Sequence, residues 1–247
     1  MVRLWAFSAP LLLLMPAVAW PIGNPPQVTD GRADDTLGNR SDFVPGDRLI
    51  FFDDFSKTEV GEFPKQWTLK GPGGGGNPLS VVSRNGGKFL FSETPPEGTP
   101  QTSSTVYVRL PKLSDLAEEF TVEFDAIFGY SRLVTDLQAE KQYDIRVGSD
   151  ASSYSLLAIS SERVVSRNAQ SRLSLADGKV HRVAVWVNGN YVTAYVDGQR
   201  MLSDPEGAER PIARLGLELS TYKDTRQDDL MFTNFRIAEA TKQARAQ

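Results

Sequence analysis

Two pairs of carboxylates in this chain have spacings that chemistry could use. Asp53 and Asp54 are adjacent in FFDDFSKTEVGEFPKQW, residues 51–67. On a strand, neighbours point to opposite faces of the sheet, so these two cannot converge as an acid/base pair. Glycoside hydrolysis needs two carboxyls facing one another across the scissile bond, roughly 5–9.5 Å apart. Glu123 and Asp125, in EEFTVEFDAIF, lie two apart and share a face. They are the candidates for a ligand-facing pair, against the competing reading of two solvent-facing strand acids. His181 is the single histidine, which removes metal clusters built on several imidazoles and leaves any Ser-His-Asp triad dependent on one residue. No G-x-S-x-G nucleophile motif accompanies it, so it reads as a strand residue with one ring nitrogen satisfied. GPGGGGNP, residues 71–78, lacks the Lys-Ser/Thr of a nucleotide loop and reads as a flexible loop tip.

The elements that must carry these residues are strands. In EFTVEFDAIF, Phe120, Val122, Phe124, Ala126 and Phe128 fall on one face, with Thr121, Glu123 and Asp125 on the other. VHRVAVWVNGNYVTAYVDGQRML, residues 180–202, places Asn188-Gly189 and Asp197-Gly198 between alternating runs and predicts a three-stranded meander. Further strand-like runs recur from residue 67 to residue 237. Helix patterns are confined to one turn at LSDLAEEF and a short C-terminal segment, IAEATKQARAQ. The expected fold class is all-β, an antiparallel two-sheet jelly-roll sandwich.

Ahead of these strands, Arg3, the apolar stretch Leu4–Met15 and Ala17-Val18-Ala19 have the form of a secretory signal peptide over residues 1–19. Residues 20–46, rich in turn formers and without period, read as a flexible leader. The jelly-roll domain is expected over 47–238 and a C-terminal tail over 239–247. Of the 247 residues none is cysteine, so disulfides and thiolate metal sites are excluded. The formal charge of −4 becomes −5 once Arg3 leaves with the signal peptide, because no acid leaves with it. That balance argues against nucleic acid and anionic membrane surfaces as partners. No second long apolar segment follows, so no transmembrane span is expected in the mature chain.

GDRLIFFDDFSKTEVGEFPKQWTL, EEFTVEFDAIF, GKVHRVAVWVNGNYVTAYVDGQRML and DDLMFTNFRIAEA follow in that order. Together they resemble the laminin G-like, concanavalin A-like jelly-roll module found ahead of the peptidoglycan-binding domain in some bacterial outer membrane protein A family proteins. The resemblance spans roughly residues 46–240 and is most specific at the DDFS…G.FP..W opening and the NFRIAEA close. It implies a jelly-roll fold and a periplasmic or secreted location. In the two-domain relatives the segment after RIAE leads into the peptidoglycan-binding domain, whereas this chain ends at Gln247, so cell-wall anchoring is not implied.

The resemblance also implies that first and last strands lie side by side, which would let Asp53 or Asp54 share a structural calcium with Asp228 or Asp229. The competing reading has these acids capping strand ends and meeting Arg226 or solvent. Laminarinase-like jelly-roll hydrolases carry E-x-D-x-x-E, and here the third acid is replaced by Phe128, which leaves no evident proton donor. Of the aromatics, Trp186 shares alternation with Arg182 and Ala184 and faces away from the expected core. With Tyr195, or with Tyr107 and Arg109, it is the candidate sugar platform. The sequence therefore supports a non-catalytic binding module for a glycan or another envelope component. A hydrolase or lyase using Glu123 and Asp125 with an acid from another strand is the alternative, and a structural or protein-interaction domain is the third.

Overall fold

The alternation of EFTVEFDAI is realised as β6 (Glu119–Ile127), with Phe120, Val122, Phe124 and Ala126 all fully buried in the core. The structure is a computed structural model. It describes residues 42–70, 78–92, 102–108, 116–128, 144–148, 155–208, 215–221 and 230–240. The stretches expected to be signal peptide, most of the leader, the glycine-rich loop and the last seven residues lie outside them.

Fifteen strands, β1 to β15 in chain order, make up the regular structure of the described residues. One sheet has eight strands. Its order is β13 (Gln199–Asp204), β12 (Tyr191–Val196), β11 (His181–Asn188), β6, β15 (Met231–Glu239), β4 (Gly87–Ser92) and β3 (Leu79–Arg84), with β1 (Arg48–Asp53) also paired to β15. The other, seven-stranded, runs β10 (Gln170–Arg172), β9 (Arg163–Val165), β8 (Ser155–Ile159), β7 (Asp144–Gly148), β14 (Gly216–Thr221), β5 (Thr102–Val108) and β2 (Trp67–Lys70). All pairings are antiparallel. Inward side chains from both sheets, among them Val183, Val185 and Val187 of β11 and Leu217 and Leu219 of β14, form one core. This is the two-sheet jelly-roll sandwich expected from the sequence.

Two local expectations change. The β11–β12 hairpin turns on Gly189 and Asn190, because Asn188 pairs with Tyr191 as the last strand position. The segment from Ile237, whose pattern also allowed a short helix or a frayed tail, instead completes β15 as far as Glu239. Glu239 is buried there, paired with Arg48 and accepting the Ala117 N–H at 2.8 Å.

A bulge in β15 decides what the outer face of the eight-stranded sheet presents. Thr233 pairs with Asp125 and Arg236 with Glu123, so two residues of β15 oppose the single Phe124. Asn234, at φ 51°, is the residue that breaks the alternation. Asparagine tolerates this left-handed backbone better than most side chains. Its amide also donates to Asp125 Oδ2 at 2.6 Å. With the extra residue, Phe232 and Phe235 both point into the core, and Arg236 turns outward over Glu123.

The opening motif joins the two sheets. Asp53 at the end of β1 accepts the Phe55 N–H and the Trp67 indole N–H, each at 2.8 Å. Trp67 begins β2 of the opposite sheet and packs against Phe51, Phe55, Phe232 and Phe235 at centroid distances of 5.0–6.0 Å. Phe55 holds φ 59° with its ring fully buried. A non-glycine residue in that region costs of order 1–3 kcal/mol, offset here by burial and by the Asp53 bond. Asp53→Ala should lower the unfolding free energy by about 2 kcal/mol, since it strands a buried indole donor and frees the strained turn. Urea unfolding measures this, and an unchanged midpoint would mean that the bond holds nothing in place.

Candidate functional site

Glu123 sits on the outer face of the eight-stranded sheet, yet only 3% of it is exposed. A carboxylate in that position must be compensated, because unpaired burial costs several kcal/mol. Arg182 of β11 donates to Oε2 at 2.7 Å, Arg236 of β15 donates to Oε1, and Thr121 Oγ1 donates to Oε1 at 3.3 Å. Arg182 also reaches Asp125 Oδ1 at 3.4 Å. Burial works against the Arg182 charge, but the Glu123 hydrogen bond and the Asp125 and Glu123 charges outweigh it and hold the guanidinium above its usual range.

What covers this cluster is the strap Asp42–Gly46, the described end of the stretch read from sequence as leader. Asp42 pairs with Arg200 of β13 at 3.2 Å, and the Phe43 ring lies 5.0 Å from that of Tyr195. Gly46 N–H donates to Thr121 Oγ1 at 3.1 Å, while its carbonyl accepts from Arg236 at 2.6 Å. A Cβ on Gly46 would fall 2.7 Å from the Ala238 carbonyl carbon, so this approach requires glycine. The strap thus crosses the row Arg200, Tyr195, Ala184 and Glu123, with the small Ala184 in its path.

The candidates taken from sequence therefore have different fates. Glu123 and Asp125 come together on one face as expected, but as an ion-pair network with Arg182, Arg236 and Asn234. Phe128, in the third-acid position, is fully buried in the core. Tyr195 is 6% exposed, and burial together with the Asp42 charge pushes its hydroxyl up to about 12. Tyr107 lies on β5 of the other sheet, paired with Gly216 and Thr68, so it is on a different sheet from Trp186. Arg109, Asp228 and Asp229 lie outside the described residues. Asp53 spends both oxygens on N–H donors, and Asp54 accepts the Ser56 N–H; the hydrogen bond with the Ser56 side chain, outweighing burial and helped by that N–H, holds its carboxyl below the usual range. The Asp228 and Asp229 half of the calcium ligand set thus lies outside the described residues, which contain no group of three or more acid, histidine or cysteine side chains suited to a metal.

Trp186 does face away from the core. Its indole N–H donates to Glu119 Oε1 at 2.9 Å, and its ring meets Tyr191 edge-to-face, with centroids 6.0 Å apart. The partner is Tyr191 at the start of β12, and Tyr195 lies under the strap.

His181 is engaged at both ring nitrogens, where the sequence suggested one. Nδ1 meets Asp197 Oδ2 at 2.8 Å and Nε2 meets Asp177 Oδ1 at 2.9 Å. A neutral imidazole has one N–H and would turn a lone pair toward one of the carboxylates. Burial alone would lower the His181 pKa; the two carboxylates outweigh it and raise it above 6.5. Asp177 is correspondingly held well below the carboxylate range by the Lys179 N–H and by His181.

A further buried acid was invisible to motif reading. Asp204, fully buried at the end of β13, accepts from Ser166 Oγ, from the Asn168 N–H and side-chain amide, and from the Glu206 N–H, at 2.7–3.2 Å. Burial would raise its pKa, yet these bonds hold it below the usual value. A lone aspartate after a hairpin carries no sequence signal of such a role.

No protein-family profile and no curated protein sequence matches the chain. Solved structures do. A glycoside hydrolase family 16 endo-glucanase from Bacteroides ovatus aligns over 76% of this chain and 100% of its own, at 13% identity and TM-score 0.51. A protein described with the endo-acting O-glycanases by which human gut bacteria initiate mucin breakdown aligns over 78% and 100%, at 12% identity and TM-score 0.52. The Emp47p carbohydrate recognition domain aligns over 77% and 95%, at 11% identity and TM-score 0.45. At these identities the likeness to the first two establishes the jelly-roll sandwich and nothing finer.

Glu123→Ala should cost about 3 kcal/mol in urea unfolding, at the low end for losing one buried partner because Arg182 can turn to water. A cost below about 1 kcal/mol would remove Glu123 from the centre of the face. For His181, the raised folded pKa means that the imidazolium stabilises fully below the unfolded value of 6.5. That contribution is lost as pH rises through the folded value. Melting temperature should fall across this window, and His181→Asn should flatten the fall. An equally steep profile in the variant would place the titrating group elsewhere.

Proposed function

We propose that this chain is an exported, non-catalytic jelly-roll module that binds a glycan or another component of the bacterial envelope. The observation that carries the non-catalytic part is Glu123: both of its oxygens are taken by guanidiniums, and the strap covers it. A nucleophile or general acid must reach its substrate and change its bonding or protonation during the reaction. Here the partner acid of the pair is replaced by Phe128, which points into the core.

Support for the glycan comes from solved structures above TM-score 0.5, among them two described with glycan-cleaving activity. Support for export comes from the signal-peptide pattern of residues 1–19, and for the envelope from the resemblance of the opening and closing motifs to the outer membrane protein A family module. Among the described residues no helix is long and apolar enough to cross a membrane.

The test has two readouts on the full chain produced in a bacterial host. Intact mass of the secreted or periplasmic protein should show a chain beginning at Trp20. That protein should be retained on at least one immobilised glycan or envelope polysaccharide while releasing no reducing ends from it. Steady release of reducing ends, abolished by Glu123→Gln, would overturn the non-catalytic reading, and retention on no glycan or envelope fraction would overturn the binding one.

A further inference from the structure

His181 opens β11 and is buried, with a carboxylate on each ring nitrogen. The two carboxylates belong to different segments and are held very differently. Asp197, in the turn between β12 and β13, uses its other oxygen to accept the Arg182 N–H at 2.9 Å, and its own N–H donates to the Arg182 carbonyl at 2.8 Å. It is therefore fixed to β11 whatever the imidazole does. Asp177 stands in the exposed turn 177–180, just ahead of β11. Its remaining bonds stay inside that turn: it accepts the Lys179 N–H at 2.9 Å and meets the Lys179 ammonium at 3.0 Å. Upstream, the Leu173 and Leu175 N–H groups donate to the Glu162 and Ser161 carbonyls and anchor the chain before the turn begins. Among the described residues, His181 Nε2 is thus the hydrogen-bond link between the turn and the sheet.

Only an imidazolium can satisfy two carboxylates at once, because it donates from both nitrogens. Loss of one proton turns a lone pair toward one of them, and that contact has to part. The hydrogen stays on the side whose acceptor cannot retreat. Asp197 is pinned by Arg182, so Nδ1 keeps its hydrogen and the Nε2 lone pair faces Asp177, which only its own turn holds. Gly178, at φ 71° with open space around it, leaves that turn room to swing. We propose that His181 is a pH-operated latch: protonated, it fastens the 177–180 turn to the start of β11; neutral, it releases that turn while keeping the β12–β13 turn. Burial opposes the charged ring, but the Asp197 and Asp177 bonds outweigh it, so release falls above pH 6.5. The groups facing the ring are these two carboxylates, with the Lys179 ammonium behind Asp177, and the neighbouring strand β6 pairs the uncharged Ala126 opposite. The device goes beyond the binding reading above and is independent of which ligand the module takes.

The experiment is NMR on the full chain, where a single histidine gives one imidazole signal and so one titration curve. Backbone order parameters are measured one pH unit below and above its midpoint. Those of Gly178 and Lys179 should fall from about 0.85, the rigid range, to below about 0.6, while those of Asp197 and Gly198 stay rigid. Asp177 is exposed, so its variants should fold and read the latch alone. Asp177→Asn should lower the imidazole midpoint and keep the turn ordered at both pH values, because an amide can donate to the neutral Nε2 as well as accept from the charged one. Asp177→Ala should leave the turn mobile at both. Order in the 177–180 turn that does not change across the titration, loosening at Asp197 and Gly198 in its place, or a midpoint unmoved by Asp177→Asn would each overturn the latch.

Discussion

A carboxylate buried on the outer face of a sheet has to be neutralised, and much of this molecule is arranged around that requirement at Glu123. Arg182 comes from the next strand in the meander, and Arg236 from 113 residues away on the other side. The second guanidinium faces outward only because the Asn234 bulge resets the alternation of β15. The strap then lies over Glu123, and it can lie that close only because residue 46 has no side chain. Replacing such a network with apolar residues can be neutral or stabilising in other proteins, so its presence here argues for register and strap placement.

The same device recurs. Asp53, Asp204 and Glu239 each accept donors from elements remote in sequence: Asp53 from β2, Asp204 from the turn after β9, and Glu239 from Arg48 and Ala117. In a chain without cysteine these acids do locally what disulfides do in many exported domains, fixing how elements meet. The physical difference is titration. Carboxylates held below their ordinary range, as at Asp204, stabilise at neutral pH and lose that contribution in acid.

What could be read in advance followed from period two. Alternation gave the strands, the meander and the outward face of Trp186, because side-chain direction in a strand is set by position alone. Alternation could not give the bulge, since a strict period of two continued from Phe232 would send Phe235 outward and Arg236 inward. Nor could it tell what lies above an outward residue. Tyr195 and Trp186 look equivalent by period, yet Phe43 covers the first and Tyr191 flanks the second. Adjacency of Asp53 and Asp54 excluded a facing pair but did not reveal that Asp53 reaches a tryptophan 14 residues on.

The strap and the ring pair are two consequences of one choice along β11. Its outward residues run Arg182, Ala184, Trp186, Asn188, from charged to small to aromatic to polar. Ala184 lies in the row whose Arg200 and Tyr195 meet the strap at Asp42 and Phe43, and Trp186 lies in the next, against Glu119 and Tyr191. Beyond the strap, the Trp186–Tyr191 pair stays partly exposed. Substituting Ala184 with a larger side chain would set the strap and the sheet in direct competition for the same space, and the Glu123 cluster beneath would be the first to meet water.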